Sequence, residues 1–139
     1  MTKPRLQGKV YIAGPVHGME DNQRYRQKLK QILASKGFSA IDPLERQKLN
    51  SSNSTDISLS PKEIINGDLN CLGECDFLVA FLPQVSAGTC MELFYAKTMN
   101  KKTIVISSMD ALSPWIIGHA DHIFKTAEDF ENWLSSMGN

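Results

Sequence analysis

Short apolar runs alternate along the chain with segments in which apolar residues recur at helical spacing. Such runs, when bounded by Gly, Pro or Asp, are typical of buried strands. The predicted strands are residues 9–13, 38–41, 77–82, 103–107 and 122–124. Because strands alternate with helices, we expect a parallel sheet with helices on both faces, joined by right-handed crossovers.

The helical segments carry start signals as well as apolar faces. Ser60 to Glu63 has Ser at the N-cap, Pro at the first position and Glu at the third, and Thr126 is placed to cap the last helix. Further helices are predicted around 88–99 and 111–117. The predicted apolar faces are Tyr25, Leu29, Ile32 and Leu33 in the first helix, Ile65, Leu69 and Leu72 in the second, and Phe130, Trp133, Leu134 and Met137 in the last.

These elements predict a single domain over residues 1–139, with a three-layer Rossmann or flavodoxin-like α/β fold and a five-stranded parallel sheet. Ligands of such sheets bind beyond the carboxyl ends of the strands, where strand order reverses. The loops to consider are therefore 14–18, 83–89 and 107–113. The polar, Ser-rich segment 44–59 is predicted to be a mobile loop, either a binding loop or a surface loop without a role.

Composition and charge narrow the classes of function. The chain has 139 residues and equal numbers of basic and acidic side chains, 15 each, which disfavours a broad basic face for a nucleic acid polymer. No apolar run approaches the roughly 20 residues that span a bilayer, and the N-terminus lacks a signal-peptide pattern. We expect a cytoplasmic protein with free thiols at Cys71, Cys75 and Cys90 and with no metal site.

The segment 85–93 holds the most reactive candidate. Thr89 and Glu92 have the spacing of a capping box, so Glu92 could simply satisfy a backbone N–H at the start of a helix. Alternatively, the helix dipole would keep a carboxylate in the first helical turn ionised. An ionised carboxylate in a ligand crevice can attack an electrophilic carbon.

Two more segments contain candidate polar groups. Gly14 and Gly18 bracket a turn after the first strand, where backbone N–H groups could hold an anion or a sugar hydroxyl, although no dinucleotide fingerprint is present. Tyr11 is either a core residue or a group that orients a carboxylate. Asp68, inside a predicted helix, is either solvated or an acid–base group.

Together these segments resemble the nucleoside 2-deoxyribosyltransferase superfamily. The resemblance rests on the segments 11–15, 42–45, 68–69, 88–96 and 112–125, in this order. Segments 68–81 and 112–121 are most similar to the branch that hydrolyses 2'-deoxynucleoside 5'-monophosphates. The resemblance implies that Glu92 attacks C1' of the sugar and forms a glycosyl-enzyme, that Tyr11 orients Glu92, and that Asp68 binds the sugar or assists protonation of the base.

The resemblance also implies a substrate site and an assembly. Ser86 corresponds to a phosphate-binding Ser of the hydrolases, where transferases tend to carry an acid. Ser113 corresponds to a phosphate-binding Ser supplied by a neighbouring subunit, which implies a homodimer or a higher even oligomer. The implied substrate is a small nucleoside or nucleotide, and no cofactor is needed. The implied substrate-binding residues are Gly14, Pro15, His17, Gly18, Asp42, Ser86, Gly88 and Ser113.

One departure from the hydrolase branch concerns the first loop, where Pro15 and His17 replace a Ser and an Arg. This replacement implies a weaker phosphate site or a different substrate. Three alternatives to a nucleotide hydrolase therefore stay open. They are a transferase that exchanges bases between deoxynucleosides, a non-catalytic nucleotide-binding module on the same fold, and an unrelated flavodoxin-like signalling domain.

Overall fold

The computed structural model describes residues 8–16, 18–45 and 59–137, which form an α/β fold around one parallel sheet. The sheet order is β2-β1-β3-β4-β5, and every neighbouring pair is parallel. This is the flavodoxin-like order that the sequence predicts. The strands are β1 (Lys9–Ala13), β2 (Ser39–Ile41), β3 (Phe77–Phe81), β4 (Lys102–Ile106) and β5 (His122–Phe124).

Two of the helices begin at the capping residues that the sequence predicts. The Ser60 hydroxyl accepts a hydrogen bond from the Glu63 backbone N–H (3.2 Å), and the Glu63 carboxylate accepts one from the Ser60 N–H (3.1 Å). The Thr126 hydroxyl accepts from the Asp129 N–H (3.0 Å). The helices are α1 (Arg24–Ser35), α2 (Pro61–Gly73), α3 (Ala87–Thr98), α4 (Pro114–Ile117) and α5 (Ala127–Met137).

The two faces of the sheet bury separate apolar clusters, because successive strand residues point to opposite faces. Val10 and Ile12 of β1 pack with residues of α1 and α5 on one face. Tyr11 and Ala13 face the opposite side, where they pack with residues of α2, α3 and α4. Tyr11 is fully buried. The alternation along β1 therefore directs the Tyr11 side chain toward the helices that follow β2 and β3.

The predicted capping box of Thr89 and Glu92 is wrong. Helix α3 begins one residue earlier than predicted, and its N-cap is Ser86, whose hydroxyl accepts from the Thr89 backbone N–H. Glu92 is thus in the second turn, where its carboxylate can reach across to β1 instead of folding back. The spacing of Thr89 and Glu92 fits a capping box, but spacing alone does not show which residue caps the helix.

Three smaller expectations also differ from the structure. Helix α4 begins at Pro114 instead of residue 111, because Ser113 caps it by accepting from the Trp115 N–H (3.1 Å). Ile65 and Met137 are about half exposed, at 55% and 47%, and are not on buried faces. The first turns of α2 border a cavity instead of the core, which leaves Ile65 in solvent.

The predicted mobile loop falls mostly on residues 46–58, which lie outside the described residues. None of the helices in the described ranges combines the length and the apolar character needed to cross a membrane.

Candidate active site

A cavity of about 330 Å³ lies at the carboxyl end of β1, between that strand and helices α2 and α3. Its charged lining residues are Arg26, Asp68 and Glu92. Its remaining lining residues are Ile12, Ala13, Gly14, Val16, Pro43, Leu44, Ile64, Ser86, Gly88 and Thr89. This is the edge of the sheet at which a ligand is expected in a fold of this order.

The structure brings Tyr11 and Glu92 together. The Tyr11 hydroxyl donates a hydrogen bond to Oε2 of Glu92. Tyr11 is fully buried on the central strand β1, whereas Glu92 is partly buried and lines the cavity. A fixed donor of this kind orients the carboxylate and leaves its other oxygen available for a ligand in the cavity.

The environment of Glu92 raises the pKa of its carboxyl from 4.5 to about 7. Burial is the main cause, and the negative charge of Asp68 adds to it; the Tyr11 hydrogen bond and the positive charge of Arg26 act in the opposite direction. The expectation that Glu92 lies in the first helical turn, where the helix dipole favours a charged carboxylate, is wrong, because Glu92 lies in the second turn of α3.

Tyr11 remains a hydrogen-bond donor at all ordinary pH values. Burial, followed by the negative charge of Glu92, raises the pKa of the Tyr11 hydroxyl far above its usual value. The pair thus consists of a protonated phenol and a carboxyl group that titrates near neutrality. Carboxyl groups of this kind, in a cleft, are common at functional sites.

Ser86 and Gly88 form the part of the cavity wall at the start of α3. The Ser86 hydroxyl accepts from the Thr89 backbone N–H and from the Thr89 hydroxyl (3.1 Å), so its own hydrogen can be donated to a ligand. A Cβ at Gly88 would meet no atom within 4 Å. A larger side chain at position 88 would therefore project into open space that a ligand could occupy.

Gly14 has a structural reason to be glycine. A Cβ at this position would lie 2.6 Å from Cε2 of Tyr25, closer than packing allows. Tyr25 is held there because its hydroxyl donates to the Pro15 carbonyl (3.0 Å) and its ring stacks on Phe81. Gly14 and its carbonyl therefore form a closely packed junction between β1 and α1 at the cavity.

Four predicted substrate-binding residues are not in the cavity wall. Pro15 is buried beneath Tyr25, and Gly18 is exposed with a φ of 81°. Asp42 is buried in an ion pair with Arg26 (2.8 Å) and a second one with Lys30 (3.1 Å). Ser113 caps α4 and lines a different cavity. His17 lies outside the described residues.

Arg26 is a cavity residue that the sequence analysis missed. It is 4% exposed, and its guanidinium bonds to Asp42, to the Gly14 carbonyl (2.9 Å) and to the Gln23 side chain (2.7 Å). A signal was present in the sequence, because Arg26 shares a helical face with Leu29 and Leu33. A charged residue on the buried face of an amphipathic helix requires a partner, which here is Asp42.

A second, apolar cavity of about 430 Å³ opens between α3 and α4. Four strongly exposed apolar side chains line it: Val85, Met91, Phe94 and Trp115, the last of which is 74% exposed. We call these four residues the apolar face. Ser113 and His119 lie beside it. Clustered exposed apolar residues mark interaction surfaces more often than scattered ones do.

The three cysteines are free thiols, as predicted. Within the ranges that the structure describes, no three His, Cys, Asp or Glu side chains are grouped as a metal site would require.

The sequence matches the profile of the nucleoside 2-deoxyribosyltransferase family over residues 10–136. A protein of Thermofilum pendens named "Putative 2'-deoxynucleoside 5'-phosphate N-hydrolase 1" is 27% identical over 110 residues, which cover 75% of this chain and 71% of that protein.

Two solved structures have the same fold. A 2-deoxyribosyltransferase from Bacillus psychrosaccharolyticus superposes with a TM-score of 0.73 at 21% identity, covering 89% of this chain and 90% of the other. A CMP N-glycosidase from Clostridium botulinum superposes with a TM-score of 0.62 at 22% identity, covering 92% and 98%. At these identities the structures confirm the predicted fold. Because the family profile spans nearly the whole chain, this protein belongs to the nucleoside 2-deoxyribosyltransferase family, whose members are enzymes acting on nucleosides or nucleotides.

Proposed function

We propose that this enzyme hydrolyses the N-glycosidic bond of a nucleoside 5'-monophosphate, with or without a 2'-hydroxyl, through a glycosyl-enzyme intermediate on Glu92. The observation that carries the proposal is the Tyr11–Glu92 hydrogen bond in the wall of the cavity that Asp68 also lines. An oriented carboxylate beside a second carboxyl group is the arrangement used by retaining glycosidases.

In the first step, an oxygen of ionised Glu92 forms a bond to C1' of the sugar while the bond from C1' to the base nitrogen breaks. The bonding electron pair leaves with the base, which accepts a proton and departs neutral. Asp68 binds the sugar or assists this protonation. Water then attacks C1', the bond from C1' to Glu92 breaks, and the Glu92 carboxylate is regenerated as the sugar phosphate leaves. The proton that the water loses replaces the one given to the base. Tyr11 holds Glu92 in position throughout and does not change protonation state.

The proposed phosphate site is the start of α3. Ser86 has a hydroxyl hydrogen available for donation, and backbone N–H groups at the start of a helix favour anions. Pro15 and Gly18 shape the first loop, and His17 in the same loop is a further proposed contact. Asp42 is proposed to act at the base end of the substrate. In this structure it also holds Arg26, which lines the cavity.

We further propose a homodimer, or a higher even oligomer, in which the apolar face is covered by a second copy. The support is the exposure of Val85, Met91 and Trp115 (68%, 70% and 74%) around one cavity. Ser113 borders the same surface, so a copy seated there can present it to the partner's site.

A second candidate is the exchange of bases between deoxynucleosides, which the family name and the loss of polar donors at Pro15 favour. Base release by chromatography from a panel of nucleosides and 5'-monophosphates, with and without a second free base, separates the two. Release from monophosphates in water alone supports the hydrolase. Turnover only of free nucleosides, and only with an acceptor base, supports the transferase. Nucleotide binding without any turnover would support a non-catalytic module and contradict both.

A further inference from the structure

One member of a buried ion pair, Arg26, lines the Glu92 cavity. Arg26 of α1 and Asp42, which follows β2, are 4% and 7% exposed. Every nitrogen of the guanidinium donates to a protein acceptor: Nη1 to Asp42 (2.8 Å), Nη2 to the Gly14 carbonyl (2.9 Å) and Nε to Gln23 (2.7 Å). The Arg26 side chain is therefore fixed before any substrate binds.

Arg26 lines the same cavity as two carboxyl groups. Among the described residues that line it, Arg26 is the sole cation, whereas Glu92 and Asp68 are both acidic. Two carboxylates in one partly dry cavity repel each other, and each makes ionisation of the other less favourable. A fixed positive charge in the same wall opposes that repulsion.

The ion pair is not explained by stability alone. Replacing a buried ion pair by well-packed apolar residues is often neutral or stabilising, because both charges must be removed from water. Arg26 shares its helical face with Leu29 and Leu33, so an apolar residue would suit the same position. The charge lies in the cavity wall, where it affects a reacting carboxylate and the loop that shapes the cavity.

We infer that Arg26, held by Asp42, is a positioning residue that fixes the Gly14 carbonyl at the mouth of β1 and supplies the positive charge that lets Glu92 ionise beside Asp68. This inference rests on the proposed function, since it assigns to Arg26 the task of preparing Glu92 for attack. Each guanidinium nitrogen donates one N–H to the protein, and these three bonds hold Arg26 in place while its charge acts on Glu92.

The sign of the effect follows from the groups that face Glu92. These are Tyr11 from β1, Asp68 from α2, and Tyr25 and Arg26 from α1. Without Arg26, only the Tyr11 hydrogen bond opposes burial and the repulsion from Asp68, so Glu92 keeps its proton to a higher pH. Without Asp42, the charge of Arg26 is no longer balanced, so Glu92 loses its proton at the same or a lower pH.

The test measures the titration of Glu92 directly, by NMR of the side-chain carboxyl carbon in protein labelled with ¹³C-glutamate, with Glu92→Gln providing the assignment. Three variants are compared with the unmodified protein: Arg26→Gln combined with Asp42→Asn, Asp42→Asn alone, and Arg24→Gln as the control. Arg24 is exposed on the same helix and does not line the cavity, so its replacement removes an equal charge elsewhere.

We expect the Glu92 midpoint to rise by about half a pH unit or more in the double variant, to stay or fall in Asp42→Asn, and to stay in Arg24→Gln. In each variant, the midpoint of the acidic limb of the kcat/KM profile should move in the same direction as the Glu92 midpoint. A Glu92 midpoint in the folded double variant equal to that of the unmodified protein would overturn the inference. So would the same upward shift in Arg24→Gln.

Arg26→Lys provides a second route should the double variant not fold. The Lys side chain keeps the charge, but its single ammonium group cannot replace the two guanidinium nitrogens that donate to Asp42 and to the Gly14 carbonyl. We expect an unchanged Glu92 midpoint and a raised KM, and an upward shift of the midpoint would contradict the role assigned to the charge. Failure of the proposed function is a different result. In that case the unmodified protein releases no base, while the NMR titration still reports on Arg26.

Discussion

At the residue scale, the chemistry of the site depends on the balance of forces on one carboxyl group. Burial and Asp68 favour protonated Glu92, whereas the Tyr11 hydroxyl and Arg26 favour the ionised form, and the resulting pKa is about 7. A carboxylate that is partly desolvated and still ionises near neutrality is a stronger nucleophile than one that is fully solvated. Tyr11 does not transfer its proton to the Glu92 carboxylate, because the pKa of the Tyr11 hydroxyl is raised far above its usual value.

The pKa of Glu92 predicts the pH dependence of activity. A nucleophilic carboxylate must be ionised, so kcat/KM for a 5'-monophosphate should rise with pH through a midpoint near 7 to a plateau. Well below this midpoint, kcat/KM should fall about tenfold for each pH unit. The measurement is kcat/KM from base release across the acidic range, at constant ionic strength. If the midpoint of the acidic limb lies near 4.5, the ordinary pKa of a Glu carboxyl, burial does not raise the pKa of Glu92.

Glu92 should also make the free energy of unfolding depend on pH. Its pKa is raised from 4.5 to about 7 in the folded protein, so its stabilising contribution is complete below pH 4.5 and is lost as the pH rises through about 7. The loss is at most about 3.5 kcal/mol, since each pKa unit corresponds to about 1.4 kcal/mol.

Glu92→Gln keeps an acceptor for Tyr11 but removes the titrating group. Thermal unfolding should show this variant to be more stable than the unmodified protein at about pH 8 and equally stable at about pH 4. Equal melting temperatures at both pH values would contradict the raised pKa.

A third expectation concerns the phosphate. Ser86→Asp should raise KM for a 5'-monophosphate at least about tenfold through charge repulsion, with a smaller effect on the corresponding nucleoside. Asp is itself a good N-cap, so α3 should keep its start. Ser136→Asp, at an exposed site on α5, is the control for added charge. If nucleotide and nucleoside respond equally to Ser86→Asp, Ser86 does not contact phosphate.

Sequence reasoning reached some site residues and missed others for physical reasons. Tyr11, Asp68 and Glu92 are candidates from the sequence itself, but their roles come from the resemblance, because spacing alone favours a core Tyr and a capping Glu. Arg26 was missed because its contacts to Asp42 and the Gly14 carbonyl join residues 12 to 16 positions apart. Such a contact becomes visible only when α1 is placed against the sheet.

At the scale of elements, the strands and most helix starts could be predicted because they depend on local signals. Ser60 and Glu63 cap α2 as expected, and each predicted strand is present, with its ends shifted by at most one residue. Helix α3 was less predictable, since Ser86 and Thr89 are both capping residues and either could begin it. The segment 46–58 is not part of the described structure, so its predicted role as a mobile loop stays a prediction.

The junction of β1 and α1 is the element most sensitive to substitution. Gly14→Ala places a methyl group against the Tyr25 ring and should lower the free energy of unfolding by about 1–3 kcal/mol. Gly73→Ala is the matched control, because a Cβ there meets nothing within 4 Å and Ala favours the helix. Denaturant unfolding of both variants tests the difference. Equal stability would show that the loop moves to accommodate the methyl group.

At the scale of the whole molecule, the fold places Tyr11, Asp68 and Glu92, the proposed reacting groups, together and an apolar surface beside them. Five parallel strands in the order β2-β1-β3-β4-β5 bring β1, α2 and α3 together at the cavity. The start of α3 borders both cavities, through Gly88 on one side and Met91 on the other. A second copy covering the apolar face would therefore lie close to the substrate site.

The proposed assembly predicts a specific loss. Trp115→Glu, at a side chain that is 74% exposed, should convert a dimer into monomers in sedimentation velocity and reduce base release, because Ser113 is no longer presented to a partner. Met137→Glu changes an exposed apolar residue of α5, which packs on the opposite face of the sheet, and should do neither. If the unmodified protein is a monomer at micromolar concentration and is fully active, the proposal that two copies share their substrate sites is contradicted.

The central claim is that Glu92 is the nucleophile, and base release by the unmodified protein and by Glu92→Gln tests it most directly. Both proteins are assayed on the same panel of nucleosides and 5'-monophosphates, with circular dichroism to confirm that each is folded. We predict release from a monophosphate in water by the unmodified protein, and a loss of at least about 1,000-fold in the variant. A folded Glu92→Gln protein that keeps most of the activity would contradict the account.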